Sequence, residues 1–277
     1  MSDSASQFRT VQVQRVGRAP EGTTSDAAAV EEPLEIRLHG RPFSVVMRTP
    51  GDDRALAAGF LLSEGVVVDA DDIGAVEHCR HPDTPDVHNV VDVYLMPAAA
   101  QRLPAIFDGR RHVSTTSACG VCGRVTIDSL RTRVPPLSVS TTFDRLLLRD
   151  LPCRLRERQR TFDGTGGLHG AALFTADGNC VGSAEDVGRH NAVDKVIGGR
   201  LLDGRLPLSG HALAVSGRTS YEIVQKAWLG GVELICAVSA PSTLAIDLAA
   251  ESGMTLLGFV RDGGFNIYTN PHRIAGV

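Results

Sequence analysis

Lysine is nearly missing from this chain: Lys195 and Lys226 are the only two among 28 basic residues, and the rest are arginine. A GC-rich coding bias accounts for such a skew, and arginine also suits phosphate recognition because its planar fork holds two oxygens at once. Positive charge is not in excess either, since 32 acidic residues outweigh the basic ones for a net charge of -4. That leaves no global electrostatic footprint for nucleic acid. No apolar run reaches the ~18 residues of a membrane span, and the polar N-terminus lacks the charged-then-apolar layout of a signal peptide. The expectation is a cytoplasmic protein with no membrane partner. Reducing conditions there disfavour a permanent disulfide framework, so the six cysteines are read as thiols.

A second close cysteine pair is lacking as well. Cys119 and Cys122 stand three residues apart within Ser114-Thr115-Thr116-Ser117-Ala118-Cys119-Gly120-Val121-Cys122-Gly123-Arg124, whereas Cys79, Cys153, Cys180 and Cys236 are scattered singly. A four-cysteine zinc site needs two pairs, which leaves His112 as the one nearby extra ligand. A thiolate is the reactive form of cysteine, and a small-residue setting lets a partner's sulfur approach it. Spacing alone keeps three readings open: sulfur or redox chemistry, a zinc module and a plain turn. The dinucleotide fingerprint also fails, because after Gly164 and Gly166 its third glycine would fall at His169. A Rossmann oxidoreductase is therefore disfavoured. No internal repeat is present.

What is there is enough chain for one large domain or two ordinary ones. Residues 1-32 are rich in Ser, Ala, Thr, Gly and charge and read as a largely flexible segment, apart from the alternating run Val11 to Val16, which suits an edge strand. Residues 33-130 read as a small α+β domain ending in the cysteine stretch. Leu34 to Leu38 and Phe43 to Met47 alternate about His39-Gly40-Arg41-Pro42 as a hairpin, Asp52 or Asp53 caps a helix carrying Leu56, Phe60 and Leu61, and Val87 to Leu95 returns to strand. Val134-Pro135-Pro136 stops any element, which places the junction between Cys122 and Pro136. In residues 131-277 a polar helix is expected over Asp144 to Arg160 and a hairpin about Asp177-Gly178-Asn179. Helices at Asn191 to Leu202, Tyr221 to Leu229 and Thr243 to Ala250 then alternate with strands at Ala212 to Val215, Val232 to Val238 and Thr255 to Val260. This alternation argues for a three-layer sheet with crossover connections.

Ligands of open α/β sheets sit outside the carboxyl ends of the strands. Three such junctions carry chemistry. Ser216-Gly217-Arg218-Thr219-Ser220-Tyr221-Glu222 combines a guanidinium with a helix start, Thr219 and Glu222 reading as a capping box, so that Arg218 and free backbone N–H groups can hold a phosphate. Ser239-Ala240-Pro241-Ser242-Thr243 is a hydroxyl-rich helix start, and Arg261-Asp262-Gly263-Gly264-Phe265 pairs charge with close backbone approach. Glu185-Asp186-Val187-Gly188-Arg189-His190-Asn191 gathers two carboxylates, a guanidinium and an imidazole at a helix entrance, either as a functional cluster or as a cap in which Asp186 serves the helix.

Five stretches in one order, Thr116 to Gly123, Glu185 to Asn191, Ser220 to Lys226, Ala237 to Pro241 and Ile267 to Thr269, together resemble the formate dehydrogenase accessory sulfurtransferases, the FdhD family. The resemblance runs from about Leu34 to the C-terminus. It implies a C-terminal cytidine-deaminase-like three-layer α/β/α domain beside the smaller N-terminal α+β domain. It further implies a sulfur carrier that takes persulfide sulfur from a cysteine desulfurase and passes it to the Mo (or W) bis-guanine-dinucleotide cofactor of formate dehydrogenase. On that resemblance Cys119 bears the persulfide, Cys122 relays or helps release the sulfur, and Phe259, Val260, Arg261, Asp262, Gly263 and Gly264 match the cofactor-binding stretch. Arg218, Ser239, Arg189 and His190 complete the candidate cofactor contacts. No H-x-E followed by P-C-x-x-C occurs, so zinc deamination is not expected and no resident metal is called for. The alternatives are a cofactor-binding chaperone without sulfur transfer and a C-x-x-C redox or zinc module. A homodimer is compatible with the sequence, which carries no signature for one.

Overall fold

A computed structural model describes residues 6–79, 89–110, 134–138 and 141–277. The chain begins with a hairpin, β1 (Phe8–Arg15) and β2 (Gly22–Ala29), paired from Phe8 opposite Ala29 to Arg15 opposite Gly22. The edge strand read at Val11 to Val16 falls within β1 as far as Arg15, while β2 corrects the flexible reading of the remainder of this segment. The composition argument weighed only side-chain burial, whereas an antiparallel ladder satisfies the backbone whatever the side chains. The hairpin is also tied at its base: Val30 N–H donates to Gln7 O, Gln7 Nε2 donates to Pro50 O, and Thr161 Oγ1 donates to Gln7 Oε1.

Next come β3 (Glu32–Leu38), β4 (Arg41–Arg48), α1 (Asp53–Ser63), β5 (Ile73–His78) and β6 (Val90–Leu95). They form a four-stranded sheet in the order β4-β3-β6-β5, with β3 and β6 parallel. Period-two alternation puts Leu34, Ile36 and Leu38 with Val91, Val93 and Leu95 on the buried face. Asp52 precedes α1 as its cap residue, but in a left-handed conformation (φ 55°) and without a side-chain cap. Two short helices, α2 (Pro97–Ala100) and α3 (Leu103–Arg110), follow.

The remainder runs β7 (Phe143–Asp144), α4 (Arg145–Arg156), α5 (Arg160–Thr165), β8 (His169–Thr175), β9 (Cys180–Asp186), α6 (Arg189–Leu202), β10 (His211–Val215), α7 (Tyr221–Leu229), β11 (Leu234–Ala237), α8 (Thr243–Glu251), β12 (Thr255–Arg261), β13 (Gly264–Thr269) and β14 (Ile274–Ala275). The six-stranded sheet has the order β13-β12-β11-β10-β8-β9. β10, β11 and β12 are parallel through helical crossovers, and antiparallel hairpins flank them. In β8, Ala171 and Leu173 face α6, α7 and α8, while Ala172 and Phe174 face α4. The expected three-layer α/β/α arrangement is thus present. The helix expected over Asp144 to Arg160 is two helices, α4 capped by Asp144 through the N–H groups of Leu146 and Leu147, and α5 started by Glu185, which accepts from the N–H groups of Thr161 and Phe162. α4 buries Leu148, Leu151 and Leu155, so its arginines line the wet side.

The two sheets share a core because α1 lies directly on α6. A Cβ added to Gly198 would stand 1.9 Å from Ala55 O, and one on Gly59 2.1 Å from Asp194 O, so only glycines permit this crossing. Both lysines are buried at the same seam. Lys226 Nζ reaches the two Asp194 oxygens at 2.8 and 2.7 Å, and Ser63 Oγ of α1 donates to the same carboxylate at 3.0 Å. Burial pushes the Asp194 carboxyl up, while Lys226 and Ser63 pull it back toward the charged form. Lys195 Nζ lies 2.8 Å from Asp186 and donates to Thr49 O at 2.8 Å.

Candidate functional site

One end of the six-stranded sheet collects the polar stretches that follow its strands. The carboxyl ends of β10, β11 and β12 finish there, and because β8 runs against β10, its first residue, His169, arrives at the same end opposite Asp186 of β9. α6, α7 and α8 all begin at this edge. Their loops are stitched together: Thr219 N–H donates to Ala240 O, Ser242 N–H to Thr219 O, Phe259 N–H to Ser239 O, and Ser216 Oγ accepts from Gly170 N–H at 2.9 Å. The strand end at β12 is a bulge, since pairing jumps from Gly258 opposite Asn266 to Arg261 opposite Gly264. The extra residue explains why Phe259 sits at φ 52°, a conformation costly for an aromatic side chain. Gly258 beside it has no room for a Cβ, which would lie 2.9 Å from the Tyr268 ring and 3.0 Å from Pro241.

Asp186 organises the α6 entrance. Fully buried, it accepts from Thr49 N–H (3.1 Å), Gly188 N–H (2.8 Å) and Asn191 Nδ2 (2.9 Å) besides holding Lys195. A carboxylate with that many donors is an anchor for the Gly188-Arg189-His190 turn. His190 Nε2 then lies 3.2 Å from Ser220 Oγ and 3.7 Å from Glu222 Oε2, which links the starts of α6 and α7. The expected capping box between Thr219 and Glu222 does not form: Ser220 rather than Thr219 holds the cap position, and neither it nor Gly188 caps its helix with a side chain.

Beside this link the edge is cationic. The His169 ring lies across the Gly217 backbone, with Nδ1 3.3 Å and Arg189 Cδ 3.8 Å from where a Cβ on Gly217 would stand. Burial first, then Arg189 and Arg218, push the His169 imidazole below its ordinary pKa, with Asp186 pulling the other way. Two buried polar atoms here, Thr219 Oγ1 and Arg189 Nε, have no hydrogen-bond partner among the described residues, although Thr219 is only 1% exposed. Buried hydroxyls and guanidinium N–H groups are normally satisfied, so both groups have capacity for a further polar partner. Two helix starts without side-chain caps and two arginines suit the edge to an anion.

The model of the FdhD/NarQ family matches residues 29–275. The chain belongs to that family. Among its FdhD relatives, the sulfur carrier protein FdhD of Streptomyces avermitilis is 50% identical over 279 residues, covering 96% of each chain. Those of Streptomyces coelicolor and Anaeromyxobacter dehalogenans are 49% and 48% identical, the former over 96% of each chain and the latter over 91% of this chain and 90% of the relative. In fold, a crystal structure of a Desulfotalea psychrophila protein named as a formate dehydrogenase accessory protein superposes with a TM-score of 0.74, at 23% identity, over 97% of this chain and 100% of that one. As an FdhD/NarQ member this chain has, among the described residues, no helix long and apolar enough to cross a membrane.

Of the site residues expected from the sequence, Arg189, His190, Arg218, Ser239 and Phe259 meet at this one edge. Arg261, Asp262, Gly263 and Gly264 form the exposed tip of the β12–β13 hairpin, where Asp262 (φ 53°) and Gly263 (φ 78°) make a two-residue turn and the Arg261 guanidinium stands 5.4 Å from the Phe259 ring centroid. Val260 instead turns its side chain into the core under α4, leaving only its backbone at the edge. Cys119 and Cys122 lie outside the described residues, as does His112. Among the described cysteines, burial pushes the Cys236 thiol up, far from a reactive thiolate. Sequence reasoning passed over His169 as a site residue, and marked Ser220 only as part of its stretch, without its link to His190. His169 had been weighed only as the residue that breaks a glycine fingerprint, and its pairing opposite Asp186 comes from strand register that no local motif reveals.

Proposed function

We propose that this chain is a sulfur carrier that accepts persulfide sulfur from a cysteine desulfurase and delivers it to a molybdenum or tungsten bis-guanine-dinucleotide cofactor destined for formate dehydrogenase. Two lines support the reading: relatives at about half identity are named sulfur carriers, and the strand-end edge of this molecule is fitted for phosphates. The observation that carries most weight is the meeting of Arg189, Arg218, two helix starts without side-chain caps and the unpartnered Thr219 hydroxyl at one edge. In this reading the arginines bind pyrophosphate oxygens, and the Phe259 ring with Arg261 offers a stacking face for a guanine.

The chemistry is thiol exchange. The Cys119 thiolate attacks the outer sulfur of a partner's cysteine persulfide, the partner's S–S bond breaks and its cysteine leaves as a thiolate, so one S–S bond replaces another with no net redox change. For release as sulfide, the Cys122 thiolate attacks Cys119 Sγ. The outgoing sulfur takes the electron pair, a Cys119–Cys122 disulfide remains, and a cellular dithiol reduces it.

Incubation with a cysteine desulfurase and cysteine, followed by peptide mass analysis, is expected to show one added sulfur on the Cys119 peptide, lost in Cys119→Ala. If the Cys119→Ala, Cys122→Ala double variant still matured active formate dehydrogenase, the protein would be a cofactor-binding chaperone and sulfur transfer would be wrong.

A further inference from the structure

Besides the His190–Glu222 link, the sheet edge holds a further titratable group that the sulfur chemistry does not use. His169 begins β8, half-buried, with its ring against the Gly217 backbone and the Arg189 side chain alongside. The charged groups acting on it come from three elements: Arg189 of α6, Arg218 of the loop after β10, and Asp186 of β9. Two fixed cations against one carboxylate, itself occupied by Lys195 and three other donors, disfavour a third positive charge here. A bound phosphate reverses that balance, since it neutralises the guanidinium charges and presents an acceptor oxygen.

We propose that His169 is the proton-linked contact of this edge: as a phosphate anion settles against Arg189 and Arg218, the imidazole takes one proton from solvent and donates a hydrogen bond to it. The inference rests on the anion reading of the edge made above and adds the residue that tunes it. Without ligand the imidazole is held neutral by burial and by the arginines, and the anion raises its proton affinity. Binding therefore strengthens as pH falls, by up to about tenfold per pH unit, between the His169 pKa values of the free and bound states. A cargo gripped this way is held more tightly in a slightly acidic setting and released as the proton leaves.

The probe is GDP-mannose, a guanine pyrophosphate diester whose own charge is constant over the range used. Titration calorimetry from about pH 5.5 to about pH 8.5, in buffers of different ionisation enthalpy, is expected to show uptake approaching one proton near about pH 6.5. His169→Gln should flatten the pH profile and abolish the uptake. Nitrogen-detected imidazole NMR of the free protein should place the His169 pKa below the ordinary value and show it rising in Arg218→Gln. Binding with a flat pH profile, or uptake that persists in His169→Gln, overturns the proton linkage alone. No binding of GDP-mannose at any pH overturns the anion reading of the edge, and this inference with it.

Discussion

Asp186 shows how one residue can be read as chemistry or as architecture, and the geometry decides for architecture. Its two oxygens are spent on Thr49, Gly188, Asn191 and Lys195, all inside the protein. Removing its charge strands the Lys195 ammonium, which is only 3% exposed. Asp186→Asn is expected to cost ~3–5 kcal/mol, read from urea unfolding, because breaking a buried pair leaves an uncompensated charge. Asp186→Asn combined with Lys195→Met should recover part of that loss. If the single variant unfolded at the wild-type urea concentration, the pair would not be the seam described here. Both lysines are thus structural, and so are two of the arginines, Arg48 beside Asp53 and Arg273 beside Glu233, each buried.

At the scale of elements, α6 does most of the positioning. Its start presents Arg189 and His190 to the sheet edge, its middle supplies Asp194 and Lys195 to the seam, and its Gly198 lets α1 approach. Gly198→Ala would drive a methyl into the Ala55 carbonyl, forcing the helices apart at a cost of ~3 kcal/mol, the upper end for overpacking. One residue on, a Cβ at Gly199 meets only Ala55 Cβ at 3.9 Å. Gly199→Ala should therefore be neutral or stabilising by up to ~1 kcal/mol, from helix propensity. Thermal melts of the two variants test the crossing directly, and equal melting temperatures would contradict it.

At the scale of the molecule, one hydrophobic cluster runs from Leu34 and Val91 in the four-stranded sheet, through Leu56 and Val193, to Leu213 and Leu256 in the six-stranded sheet. Such continuity predicts one cooperative unfolding transition. Fluorescence of Trp228, the single tryptophan, and far-UV circular dichroism should give coincident urea transitions. Two separated transitions would mean that the halves fold as independent domains, as the Pro-Pro junction suggested.

Much of this fold was legible before any coordinates. Tyr221–Leu229 begins and ends where its apolar period says, and the strands Ala212 to Val215 and Thr255 to Val260 lie within one residue of their observed limits. Local patterns of that kind depend on burial along one element, which composition and period report. The Arg189-His190, Arg218 and Ser239 stretches were likewise marked by their place after strands or at helix starts. The first strand of the N-terminal hairpin showed in the alternation of Val11 to Val16, but its partner Gly22–Ala29 did not, because its hydrogen bonds are made by backbone and its side chains carry little apolar signal. Nor were His169 beside Gly217, the bulge at Phe259, or the burial of both lysines legible. By itself the sequence determined the order of elements, the family to which the chain belongs and the residue types available at the strand ends. Only the tertiary structure decided which of them meet, because antiparallel register brings the start of β8 to the end of β10, and helix crossings place partners more than a hundred residues apart, as with Thr49 and Asp186, within hydrogen-bond reach.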